Sequence, residues 1–256
     1  MAHKSIDVSL NVADVESSLP RFANYPEAAS KGIFKPNPNF WASHADFSCA
    51  SPWNSAGGSQ RAGTLISPRH IIFAKHFPLW EGVRILFVGS DGVVCSRHIE
   101  KTKDVHNTDI MIGLLNFEVT PNIHPAQILP GDADKYIGRG EGLPVVTFNK
   151  EEKLFLTELD LMPTNGSPIK WQGSHIPSSD VWKRFREQLI GGDSGNPSFL
   201  LICNQPILLY CLKSGGCGAG PPIHCYRKEI QDVMNELCLG YKLKSFDFKS
   251  LKCRRE

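Results

Sequence analysis

Between Phe40 and Leu212 the apolar residues come in runs too short to be helices. Thr64-Leu65-Ile66, Ile71-Ile72-Phe73-Ala74, Val83 to Val88, Val93-Val94-Cys95 and Ile110 to Leu115 are separated by turn residues such as Ser67-Pro68-Arg69 and Gly89-Ser90-Asp91-Gly92. Runs of this length, rich in β-branched and aromatic side chains, read as strands of a sandwich or barrel. The pattern resumes at Val145 to Phe148, Leu154 to Leu161, Phe199 to Cys203 and Ile207 to Leu212. Residues 117–144, with prolines at 121, 125, 130 and 144 and glycines at 131, 138, 140 and 142, read as the connection between two β-rich halves.

Three segments stand outside this pattern. Residues 1–42, with prolines at 20, 26, 36 and 38, read as an N-terminal extension that wraps the body and holds at most a short helix. Val181, Phe185 and Leu189 are spaced for a helix, yet their segment runs straight into a glycine-rich turn, which favours a strand. Ile230, Val233, Met234 and Leu237 fall on one helical face, which predicts a helix near 227–239 with Gly240 as its stop. The organisation expected is therefore an extension (1–42), a first β unit (43–122) and a second β unit with a closing helix (123–256).

Composition limits the partners. A hydrophobic share of 41% and a charged share of 21% suit a globular chain, and the net charge is only +2. Basic residues are scattered apart from the tail at Lys249, Lys252, Arg254 and Arg255, so no nucleic-acid partner is expected. No apolar run reaches the roughly 20 residues of a membrane span, and no membrane partner is expected. The first 30 residues hold no signal-type run, so either the chain stays inside the cell or a leader has been removed. The eight cysteines are irregularly spaced, which fits buried thiols or one or two late disulfides. Cys211, Cys217, His224 and Cys225 offer zinc-type ligands without a Cys-x-x-Cys pair; neither a metal nor any other cofactor is expected.

Catalytic chemistry is suggested by Gly191-Gly192-Asp193-Ser194-Gly195-Asn196-Pro197. A serine between glycines in a tight turn exposes a hydroxyl, and the turn can offer the Gly192 and Ser194 amides to an oxyanion. A serine nucleophile needs a base, and the base needs an orienting carboxylate. Among nine histidines His76 is placed to serve, just beyond Ile71–Ala74; Asp109 sits immediately before Ile110–Leu115. Taken singly, such residues are commonly structural histidines and turn aspartates. The same serine run also reads as an ordinary polar turn.

Thr64 to His76 resembles the segment around the catalytic histidine of chymotrypsin/trypsin-like serine proteases. Asn107 to Leu115 is similar to that family's aspartate segment, and Gly192-Asp193-Ser194-Gly195-Asn196-Pro197 resembles its nucleophile motif, in the family's order. The resemblance covers residues 43–240. It implies an all-β fold of two packed six-stranded antiparallel β-barrels with a C-terminal helix. It also implies a monomeric, secreted endopeptidase acting on protein or peptide substrates. The roles carried over are base for His76, orienting acid for Asp109, nucleophile for Ser194, and oxyanion donors for the Gly192 and Ser194 amides. Substrate selection falls to Gln188 at the pocket floor and to Lys213, Ser214 and Gly215 in its wall. Phe77 and Ile190 replace cysteines common in that family, and no Ile-Val-Gly-Gly-like start is visible, so Asp193 is expected to have a partner other than a freed N-terminus. Two other classes fit fewer residues: a peptide-binding module that keeps the protease fold without turnover, and a zinc-stabilised interaction domain.

Overall fold

The structure, a computed structural model, describes residues 19–53, 62–163 and 171–250. The start of the N-terminal extension and the basic tail at Lys252, Arg254 and Arg255 lie outside the described residues.

Two β-sheets dominate the architecture. The first contains β1 (Thr64–Leu65), β2 (His70–Ala74), β3 (Arg84–Val88), β4 (Val94–Asp104) and β5 (Ile110–Leu115), ordered β1-β2-β5-β4-β3. The second contains β6 (Gln127–Ile128), β7 (Pro144–Phe148), β8 (Leu154–Leu159), β9 (Gln172–His175), β10 (Pro197–Ile202), β11 (Gln205–Cys211) and β12 (Ala219–Gly220). Its order is β12-β9-β8-β7-β10-β11-β6. Every pairing between these strands is antiparallel except β6 with β11. The chain is mostly β, in sheets of five and seven strands where the resemblance implied six and six.

The strands expected from apolar runs are present, and their burial explains why. All five residues of β2 and all six of β8 are buried, the pattern of strands covered on both faces. The largest core joins both halves: Ile71, Phe73 and Ile112 of the first sheet meet Phe148, Leu156 and Phe199 of the second. Phe40, Trp41 and Phe47 belong to this core as well. The indole N–H of Trp41 donates to the Leu154 carbonyl at 2.9 Å. The extension therefore contributes to the interior. Its only described α-helix is short, Glu27–Lys31, and Phe22 and Phe34 pack on Leu86 and Val88.

One expectation changes. Val181 to Ile190 is not a strand: a short helix, Asp180–Lys183, is followed by irregular chain and a single bridge from Leu189 to Gly216. Phe185 and Leu189 are buried while Val181 is exposed, so the apolar spacing reflects two separate anchors. The 117–144 connection contains β6 and the helix Asp134–Ile137. The closing helix runs Arg227–Leu237, with Ile230, Val233 and Met234 buried. It packs against β4 and β5 of the first sheet, so an element from late in the chain covers strands formed early.

Candidate active site

The strand register places His76 beside Asp109. β2 and β5 pair antiparallel, with Ala74 opposite Ile110, so the residues beyond β2 face those preceding β5. The ladder continues one step further, the Lys75 amide donating to the Asp109 carbonyl at 2.9 Å. Asp109 then holds His76 twice: Oδ1 accepts the His76 backbone N–H at 2.9 Å, and Oδ2 lies 2.7 Å from Nδ1. An ionised carboxylate only accepts, so this contact assigns the Nδ1 proton to the bond and leaves Nε2 with its lone pair. The Asp109 side chain is 8% exposed, against 34% for His76. The carboxylate is thus sheltered while the imidazole reaches solvent.

The other histidine of the same segment, His70, is fully buried. Its Nδ1 lies 2.8 Å from Ser67 Oγ, and burial lowers its pKa to about 4. It is a neutral core residue. Position along the chain separates the two imidazoles: His70 lies within the wholly buried β2, and His76 lies just past its end.

The serine turn follows from an equivalent register. Pro197 at the start of β10 pairs with Cys211 at the end of β11. The ladder extends outward through Gly195 N–H to the Leu212 carbonyl (2.8 Å) and Leu212 N–H to the Asn196 carbonyl (2.9 Å). Asp193 N–H donates to the Ile190 carbonyl, and Asn196 N–H to the Asp193 carbonyl, each at 3.2 Å. The amides of Asp193, Gly195 and Asn196 are therefore committed. Among the described residues those of Gly192 and Ser194 donate to no protein group. Gly192 has φ +104°, a backbone conformation that glycine adopts without strain.

Two observations relate this turn to the His76 side. A methyl group on Gly195 would lie 4.0 Å from the ring of Phe77, the residue after His76. The Cys211 thiol, at the base of the turn, is near enough to Asp109 for that carboxylate to add to the effect of burial in raising its pKa to about 12. Ser194 is half-buried. No hydrogen bond joins its Oγ to His76 among the described residues; in unliganded sites such bonds are often long. Phe77 in turn stacks on Trp53, with centroids 6.3 Å apart and planes 12° apart, beside the imidazole. Neither aromatic was singled out from the sequence as a site residue, because both act through packing.

The residues expected to select substrate lie on two adjoining segments, bridged between Leu189 and Gly216. Gln188 is exposed, whereas Leu189 is buried and its N–H donates to the Gly216 carbonyl at 3.2 Å. A methyl group on Gly215 would lie 3.1 Å from the Leu189 carbonyl oxygen, and one on Gly218 would lie 3.0 Å from the Leu189 side chain. The two segments are closely joined, with Leu189 between them. Lys213 and Ser214 are exposed, and their amides both donate to the Ala219 carbonyl. The Lys213 ammonium lies 4.3 Å from the Trp171 ring centroid, a cation–π contact.

The cysteine-rich region does not converge on a centre. Cys211 lies by Asp109, the Cys217 carbonyl accepts from Ser174 Oγ, and His224 and Cys225 approach the Pro163 carbonyl. Among the described residues no group of three or more His, Cys, Asp or Glu side chains is placed to hold a metal ion. Six described cysteines are free thiols, and Cys203 is disulfide-bonded. Among the described residues no helix is long and apolar enough to cross a membrane.

No family model and no curated protein matches this chain.

Proposed function

We propose that this chain is a serine endopeptidase that hydrolyses peptide bonds through Ser194, His76 and Asp109. The observation that carries this reading is the two-point hold of Asp109 on His76, which leaves the Nε2 lone pair available to a serine hydroxyl. Ser194 Oγ attacks the scissile carbonyl carbon while His76 Nε2 takes its proton, and Asp109 stays ionised to stabilise the imidazolium. The uncommitted amides of Gly192 and Ser194 donate to the oxyanion of the tetrahedral intermediate. Collapse expels the amine, which takes the proton from His76 and leaves an acyl-Ser194 ester. A water, deprotonated by His76, then releases the acid.

On this reading the five- and seven-stranded sheets are variants of two six-stranded barrels, and the site lies in the crevice between them. Proteins or peptides are the substrates, and no cofactor takes part. The test is labelling with an alkyl fluorophosphonate. Wild type should label, and Ser194→Ala and His76→Ala should not. Labelling that survives Ser194→Ala would identify another nucleophile. No labelling of folded wild type would leave the non-catalytic peptide-binding module as the better account.

A further inference from the structure

Asp193, next to the proposed nucleophile, is 3% exposed and needs donors for both carboxylate oxygens. Oδ2 takes the Ile190 amide from its own loop at 2.9 Å. Oδ1 takes the Lys150 amide, also at 2.9 Å, from the turn between β7 and β8. That turn is in turn held by the N-terminal segment. The Tyr25 hydroxyl donates to the Lys150 carbonyl at 2.6 Å, so the residue that caps Asp193 is gripped at its other end. Burial first, then the Glu152 and Glu151 carboxylates, raise the Tyr25 pKa above its ordinary value, so the phenol remains a donor.

Two residues further along, Glu152 is 2% exposed and receives the Arg21 guanidinium through Nε (3.1 Å) and Nη2 (2.8 Å). The Arg21 backbone amide also donates to the Glu152 carbonyl at 2.8 Å. The remaining Arg21 nitrogen, Nη1, donates to the Phe47 and Ala50 carbonyls. The second Glu152 oxygen accepts the Trp53 amide, and Trp53 stacks on Phe77 beside His76. A buried ion pair in which each guanidinium nitrogen and both carboxylate oxygens are engaged gives fixed geometry more than it gives net stability.

We infer that Arg21 and Tyr25 are positioning residues for the oxyanion amides, acting through the 149–153 turn and the Lys150–Asp193 hydrogen bond. This rests on the endopeptidase reading for its chemical consequence, though not for its structural one. The N-terminal segment here fixes the carboxylate whose neighbours on either side, Gly192 and Ser194, bear the free amides. Loosening the segment releases Lys150, then Asp193, and lets the Gly192–Ser194 backbone drift from the position a developing oxyanion requires.

The test uses the full chain as wild type, Arg21→Gln, Glu152→Gln and Tyr25→Phe. Tyr25→Phe removes one hydroxyl and secures a folded variant if loss of the ion pair prevents folding. Hydrogen exchange followed by mass spectrometry should show faster exchange over residues 188–196 in the variants, with the β5 amides unchanged. Saturation kinetics with an alkyl fluorophosphonate should show reversible probe binding unaltered. The first-order phosphonylation step should slow about 10-fold in the ion-pair variants and less in Tyr25→Phe, short of the 10²–10³ lost with an oxyanion donor. The 31P shift of the adduct should move in the same variants. Unchanged exchange over 188–196 in folded variants overturns the structural link. Faster exchange with an unchanged phosphonylation step and 31P shift overturns the positioning role. Failure of wild type to label at Ser194 overturns the endopeptidase reading and, with it, the positioning role, whereas the exchange result still decides the structural link.

Discussion

Asp109 holds His76 by its backbone as well as its ring, with both carboxylate oxygens engaged at 2.9 and 2.7 Å. The backbone bond fixes the carboxylate, and the ring bond selects the tautomer. Asp109→Asn keeps the first and reverses the second, since an amide N–H would donate to Nδ1 and move the ring proton to Nε2. Folding should survive, and kcat should fall by on the order of 10⁴-fold. Steady-state kinetics on any peptide that wild type cleaves would decide it. A loss smaller than about 10-fold would remove His76 as an Asp-oriented base.

Gly192 tests the proposed oxyanion amides separately from the proposed base. Its φ is +104°, and the nearest neighbour of an added methyl group is the Lys150 side chain at 3.9 Å. Space is available but the backbone conformation is not, so Gly192→Ala should destabilise by about 1–2 kcal/mol through strain alone. Turning the amide away should reduce kcat by roughly 10²-fold with a smaller effect on KM. Thermal melting and kinetics on one preparation separate the two effects. An alanine variant with wild-type kcat would place the oxyanion elsewhere.

His70 supplies a pH signature. Its folded pKa is about 4, lowered chiefly by burial, against about 6.5 in an unfolded chain. Between those values the unfolded state binds the extra proton, so stability rises with pH through this window and is lost as pH falls from 7 toward 4. The loss is on the order of 2 kcal/mol for this residue. His224, also lowered by burial, adds in the same direction. Urea unfolding at pH 7 and pH 4.5 should show the loss in wild type and a shallower dependence in His70→Asn. Identical pH dependence in the two proteins would mean that His70 is not the neutral core residue described.

Phe185 anchors the irregular segment that leads to the serine turn. It is buried, meets the Trp41 ring edge-on at 5.3 Å, and its carbonyl accepts the Leu156 amide at 2.8 Å. Phe185→Ala should cost about 3–5 kcal/mol. A chemical-denaturation midpoint measures this directly. A cost below about 1 kcal/mol would mean that the site collapses without the ring.

The sequence made legible what depends on apolar runs and on side-chain chemistry. β2 and β5 are wholly or largely buried, so their composition announced them, and their pairing then brings His76 to Asp109. β4 was read only at Val94-Cys95, because Lys101 and Lys103 lie on its solvent face and interrupt the apolar signal. β9, Gln172-Gly173-Ser174-His175, contains no apolar run to mark it as a strand. Leu189 is buried and Gln188 exposed within irregular chain, a difference set by the bridge from Leu189 to Gly216, which spacing does not encode. The part of Lys150 is played by a backbone amide, which every residue except proline possesses. Arg21 and Glu152 are 131 positions apart and joined only by folding.

The helix at Arg227–Leu237 rests on β4 and β5, whose residues precede it by more than a hundred positions. During synthesis those two strands leave the ribosome long before their cover does. The first half must wait, incompletely sheltered, until most of the second has been made, so completion of the first sheet's packing becomes a late event.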